Sequence, residues 1–266
     1  MKHLRGPIII VLAVLAIFLL VFLLKNETVK APISADAPFV SETPRSVEIQ
    51  NNDTKKIKET VQPTEAPSVP VESSIVQNVP FIVQAPRHNW KDPVYQNACE
   101  EAVILMAMRW VQEKPLSNEE AFTEIQKISD YSKDHYGFYL DQSAEELAKL
   151  MREYFKYPNV RYLANIQIAD IKAELFKGNL VLVPVNGQKL GNPYFTQPGP
   201  TEHMVLIKGY DVKTNEFITN DPGIGKGNGY RYKEAVIDRA LRMYASGYKE
   251  EIKNIEKVMI VVKKSS

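Results

Sequence analysis

Apolar and polar positions divide this chain of 266 residues into three regimes. From Ile8 to Leu24 the run IIIVLAVLAIFLLVFLL has no polar interruption; from Lys25 to about Ser74 apolar residues are scattered among prolines; from Ile75 onward they recur with helical and strand periods. At about 1.5 Å rise per residue the first run comes close to the roughly 30 Å of a hydrocarbon core. It predicts a cytoplasmic N-terminus and transmembrane anchor over residues 1–24. Lys2, His3 and Arg5 precede the run, which orients the chain with everything after Lys25 outside the cytoplasm. A cleaved signal peptide would need an apolar stretch of about 7–15 residues closely followed by a small-residue cleavage site. The flank Lys25-Asn26-Glu27-Thr28 offers none, and Ala35-Asp36-Ala37 lies too far along, so an uncleaved anchor is expected.

Residues 25–74 hold six prolines and no glycine amid Glu, Thr, Ser, Lys and Asn. Such a segment cannot bury a core and predicts a disordered, Pro-rich tether, with an end-to-end distance of roughly 40 Å as a flexible coil. Residues 75–266 have ordinary composition and suffice for one domain.

Within that domain, Asn78 to Gln84 predicts a short extended segment, because Pro80 forbids helix. ACEEAVILMAMRWV, from Ala98 to Val111, is apolar on nearly every face after Glu101 and predicts a helix buried all round. Ser-x-x-Glu spacings at Ser117 and Ser143 predict helices over Ser117–Ser129 and Ser143–Phe155, and a further helix over Ala169–Lys177 stops at Gly178. The second half turns to strands: Leu180–Val185, His203–Tyr210, Asn215–Asn220 and Lys257–Val262, with a Gly- and Pro-rich loop over Asn186–Glu202 and a helix around Lys233–Ala245. A helical half joined to an antiparallel sheet is an α+β fold. If Tyr210 pairs with Asn215 across the turn, His203 falls opposite Pro222, next to Asp221. A register slip of one would alter their facing.

Formal net charge is +1, which gives no polyanion-binding surface, and nucleic-acid motifs are absent. No Cys/His cluster has metal-ligand spacing, so neither a metal nor another cofactor is expected. Cys99 is the only cysteine and has no disulfide partner in the chain. It opens the buried helix, where orphan N–H groups and the helix dipole favour a thiolate, with Asn97 as the expected N-cap and Glu100 three residues on.

A thiol in that setting becomes a nucleophile when a base is at hand. Of the four histidines (His3, His88, His135 and His203), His203 begins a strand at the rim of a loop, and Asp221 can reach it through the hairpin. Cys99, His203 and Asp221 therefore supply a nucleophile, a base and an orienting acid for attack on an amide carbonyl. The Cys99 N–H and the Gln84 side chain are candidate oxyanion donors, with Gln96 as an alternative. Trp90 and Trp110 read as packing residues. Tyr136, Tyr139 and Tyr194 either line a cleft or cover a core edge.

VPFIVQ followed by a cysteine opening a helix, then HMVLIKGYD and ITNDPG, resembles the bacteriocin-processing, double-glycine-leader peptidases and their stand-alone relatives within the papain-like cysteine peptidases. The resemblance runs from about Val79 to Val262. It implies a papain-like fold, with Gln84 as the oxyanion-hole glutamine, Cys99 as nucleophile, His203 as base and Asp221 as orienting acid. It also implies a peptide or protein substrate. Leader-processing members are often fused to an exporter, whereas this chain has no phosphate loop and one span, so leader removal is not expected to follow. Two features depart from the family pattern. Glu100-Glu101-Ala102 stands where Gly-Pro and a small residue usually follow the cysteine, and Ala85–Pro93 is inserted after Gln84. The two carboxylates are expected to raise the thiol pKa unless Glu100 folds back onto the helix cap. A cell-wall amidase of the same superfamily and a catalytically silent peptide-binding module are the rival readings.

Overall fold

A computed structural model describes residues 74–247 and 256–265. The expected anchor and tether, residues 1–24 and 25–74, fall outside the described residues except for Ser74. Among the described residues no helix is long and apolar enough to cross a membrane.

The frame is one seven-stranded sheet in the order β2 (Val160–Ala164), β7 (Val258–Val262), β3 (Leu180–Val185), β4 (His203–Asp211), β5 (Glu216–Asn220) and β6 (Asn228–Lys233). Every pairing is antiparallel, and β1 (Ile75–Val76) pairs with Gly209 and Tyr210 of β4, beyond the point where β3 stops. Successive strand residues face opposite sides, and this period divides the core in two. Leu180, Leu182, Met204, Leu206, Val258 and Ile260 join one cluster with helix α2 (Cys99–Val111). Val181, Val183, Val205, Ile207, Met259 and Val261 join the other, with α5 (Ile168–Phe176) and α7 (Glu234–Ala240). A sheet covered on both faces explains why LVLVPV reads as a continuous apolar run.

Helix α2 is buried from Cys99 to Met108, as its sequence predicts, and packs over β4. In front of it lies a four-residue helix, α1 (Pro93–Gln96), which begins at the last residue of the insert and has no counterpart in the sequence expectations. Asp92 caps its start by accepting from the Val94 N–H. Beyond α2, α3 (Asn118–Tyr136) and α4 (Ala144–Glu153) start at the expected caps, Ser117 and Ser143, each accepting a backbone N–H three residues on. Helix α3 runs past Ser129 to Tyr136 and stops at left-handed Gly137. A further four-residue helix, α6 (Gly187–Leu190), lies in the loop after β3.

The β4–β5 hairpin departs from the expected register. Tyr210 pairs with Phe217 and Asp211 with Glu216, because Val212 to Asn215 form the turn, with Asn215 left-handed at φ 53°. An irregularity between Ile207 and Gly209 then offsets the ladder, so Leu206 meets Asn220. The buried Lys208 within it donates to Asn228 Oδ1 at 2.9 Å. Despite the changed register, Asp221 follows directly on the last paired residue of β5 and remains beside the start of β4.

Candidate active site

The N-terminus of α2 and the start of β4 meet at a cleft of about 860 Å³ lined by Cys99, His203, Gln84 and Asp141, with Trp90 and Tyr194 also at its walls. The backbone of Met204, the residue that follows His203, acts on the Cys99 thiol in the sense that favours its charged form.

His203 is 2% exposed, and its Nε2 lies 2.8 Å from Asp221 Oδ1. A buried carboxylate accepts, so Nε2 carries the proton and Nδ1 is left as the acceptor in the neutral ring. Asp221 is wholly buried and takes two more donors: the Gly223 N–H on Oδ1 at 3.0 Å and the Tyr232 hydroxyl on Oδ2 at 2.6 Å. Asn192 donates to the same hydroxyl at 2.6 Å. Burial and the Asp221 charge push the Tyr232 phenol far above its usual value, which keeps it a donor. Phe195 meets the imidazole edge-on, with ring centroids 5.3 Å apart. A Cβ on Gly223 would lie 3.0 Å from atoms of both the His203 and Phe195 rings, so a side chain there would press on the imidazole.

The start of α2 differs from the sequence expectation. Ala98, with no capping side chain, occupies the N-cap position and Cys99 is the first helical residue. Asn97 instead closes α1: its backbone N–H donates to Val94 O and its side chain to Pro93 O at 2.8 Å. Gln84 closes the remaining carbonyls of that helix, with Nε2 donating to Tyr95 O at 3.2 Å and to Gln96 O at 2.8 Å. All four C-terminal carbonyls of α1 are thereby satisfied. Only an amide NH₂ can face two carbonyl oxygens, so the orientation of Gln84 follows from chemistry. Both of its amide hydrogens are engaged at rest, and its place beside the cleft owes as much to closing the insert as to any donor role.

Glu100 does not fold onto the cap. Its Oε2 accepts the Cys99 S–H at 2.9 Å, and its Oε1 accepts the Tyr244 hydroxyl at 2.5 Å. Burial first, and the Asp141 charge second, push its carboxyl up to about 7. Burial, followed by the charge of Glu100 and its hydrogen bond, holds the Cys99 thiol well above the usual value. The resting thiol is protonated. Glu101 is buried too, accepts from Ser129 Oγ at 3.1 Å, and has one oxygen without a partner. Desolvation first, and the Glu100 charge second, raise that carboxyl well above its usual value.

The sequence reading missed Tyr232, Asn192, Tyr244, Asp141, Phe195 and Gly223 as parts of this neighbourhood. Only Gly223, in the Asp-Pro-Gly turn, carried a local signal. Trp90, expected to pack, is 37% exposed at the cleft, and Tyr194 lines it at 51%. Trp110 is buried as expected, whereas Tyr136 packs on Tyr131 and donates to Glu153.

A helix-opening thiol and a carboxylate-held imidazole on one cleft, set on an α+β frame, are the parts of a papain-like cysteine peptidase. The sequence matches the Peptidase C39-like family over residues 76–251, and the chain belongs to that family. A crystal structure of a candidate C39-like peptidase from Bacillus anthracis aligns with TM-score 0.47 and 15% identity, covering 73% of this chain and 100% of that one. No curated protein matches.

Proposed function

We propose that this chain is a membrane-anchored, extracytoplasmic cysteine peptidase that hydrolyses a peptide or protein amide. The reading rests above all on the 2.8 Å contact between His203 Nε2 and Asp221, which leaves the other ring nitrogen as acceptor on the cleft that holds Cys99. Because the resting thiol is protonated, His203 Nδ1 takes the S–H proton as the sulfur attacks the carbonyl carbon. The carbonyl oxygen becomes an oxyanion. The Cys99 N–H, an orphan donor in the first turn of α2, donates to it, and Gln84 joins when it releases one of its two carbonyl partners. The imidazolium then protonates the leaving amine, and water activated by the same ring cleaves the thioester. Asp221 holds the ring and offsets its charge at each transfer. The run Ile8–Leu24 supports the anchor, and the charges before it support an exterior domain.

Incubating the full-length protein with a mixed peptide library, beside Cys99→Ala, tests the reading. Cleaved peptides are expected with the native chain and at least about a thousandfold fewer with the variant. Equal cleavage by both, or release of muropeptides from purified cell wall in place of peptide cleavage, would overturn it.

A further inference from the structure

The papain-like scheme has no use for a buried carboxylate against the sulfur, yet Glu100 is 1% exposed and holds the Cys99 proton. The groups that face it come from several elements. Cys99 and Glu101 lie on its own helix, Asp141 on the loop before α4, Tyr244 on the segment after α7, and His203 stands at the same cleft on β4. Among the described residues Glu100 forms no ion pair. Among the described residues its side chain accepts from the thiol and the phenol, at 2.9 and 2.5 Å.

We propose that Glu100 is a positioning residue that holds the thiol proton at rest and, by its own protonation state, sets whether Cys99 can be handed to His203. The proposal rests on the reading of Cys99 as nucleophile and His203 as base. When Glu100 is ionised, the S–H points to its oxygen, and its charge opposes a thiolate at hydrogen-bond distance. When it is protonated, its O–H donates to the sulfur and stabilises the anion formed as the S–H proton passes to His203 Nδ1. Glu100 neither gains nor loses a proton during attack. Uptake of one solvent proton by Glu100, before attack, is what exchanges one hydrogen bond, S–H to carboxylate, for the other, carboxylic O–H to sulfur. The change between the two regimes falls near pH 7, where burial and Asp141 set its carboxyl. Tyr244 acts in the opposite sense, because its hydroxyl favours the ionised form.

Alkylation of Cys99 by iodoacetamide in the full-length protein, followed by mass between about pH 5.5 and 8.5, reads this directly. Below its pKa an ordinary thiol gains about tenfold in rate per pH unit. Cys99 is expected to level off or slow as pH rises through about 7, the value its neighbour carries. In Glu100→Gln, whose amide donates to sulfur at every pH, the inflection is expected to vanish, with a rate near pH 8 about tenfold above the native one. Tyr244→Phe is expected to move the inflection up by about one unit, the effect of losing one bond to a charged group. Native and Glu100→Gln profiles that superimpose, with both proteins folded by circular dichroism, would overturn the proposal. If Glu100→Gln does not fold, an unmoved or lowered inflection in Tyr244→Phe does so instead. His203→Ala separates the two levels. Alkylation unchanged by that variant at every pH removes the nucleophile reading itself, whereas loss of alkylation alongside superimposed Glu100 profiles removes only the role of Glu100.

Discussion

Asp221→Ala is expected to lower peptide hydrolysis by about 10²–10⁴-fold and to destabilise the domain by about 3–5 kcal/mol. Both effects come from one wholly buried carboxylate that accepts from His203, Gly223 and Tyr232. Alanine leaves three buried donors without an acceptor, each costing about 1–3 kcal/mol before relaxation, and frees the imidazole to turn. Asp221→Asn separates the two. Its carbonyl oxygen can still accept from Nε2–H and the Gly223 N–H, so most of the stability is retained, while the charge that offsets the imidazolium is lost and activity still falls. kcat/KM with a cleaved peptide, together with urea unfolding of each variant, checks the pair. An Asp221→Ala protein as active and as stable as the native chain would contradict the placement of the carboxylate.

Stability is expected to fall as pH rises from about 5 to 8, opposite to the trend of a domain dominated by paired surface carboxylates. Glu100 and Glu101 both sit above the ordinary 4.5 because burial penalises their charged forms, Glu100 at about 7. A raised carboxyl contributes stability that is complete below the unfolded value and lost as pH passes through the folded one. For Glu100 the loss runs from about pH 4.5 to 7 and amounts to roughly 3 kcal/mol. The lowered carboxylates, Asp211 and Glu216 held by Arg231 and Glu216 also by Lys233, act only in acid, where their stabilisation disappears as pH falls toward 2. Urea midpoints of the full-length chain across this range measure the slope. A slope that rises with pH between 5 and 8 would mean that the two glutamates are ionised where they are buried.

Much of this architecture is legible in the sequence because burial writes itself into period and capping. LVLVPV and the run from Ala98 to Val111 lie between layers, and Ser117 and Ser143 announce their helices. The strands that escaped reading are the two-residue β1, too short to show a period, and β2 and β6, the two ends of the main strand order, whose mixed exposure leaves no apolar run to find. Hairpin register was misjudged because the turn takes in Asn215 and the ladder is offset at Lys208, neither of which has a signature in hydrophobic pattern. His203 and Asp221 are nonetheless brought together, since the strand lengths constrain the end of the hairpin more tightly than its exact pairing. Asn97 was assigned to the wrong helix because α1, only four residues long, is held by Gln84 from a distant segment. Tyr244 and Asp141 are invisible for a similar reason. They reach Glu100 only through the tertiary fold, and with them comes the local charge that decides the state of the thiol.

The central claim is that Cys99 is a nucleophile drawn on by His203. Its most direct test is the rate at which a peptidyl electrophile labels Cys99 in the full-length protein, compared with free cysteine and with His203→Ala. The account predicts labelling at least about tenfold faster than free cysteine, falling by about a hundredfold or more in His203→Ala while the fold is retained. Labelling no faster than free cysteine and indifferent to His203 would contradict it.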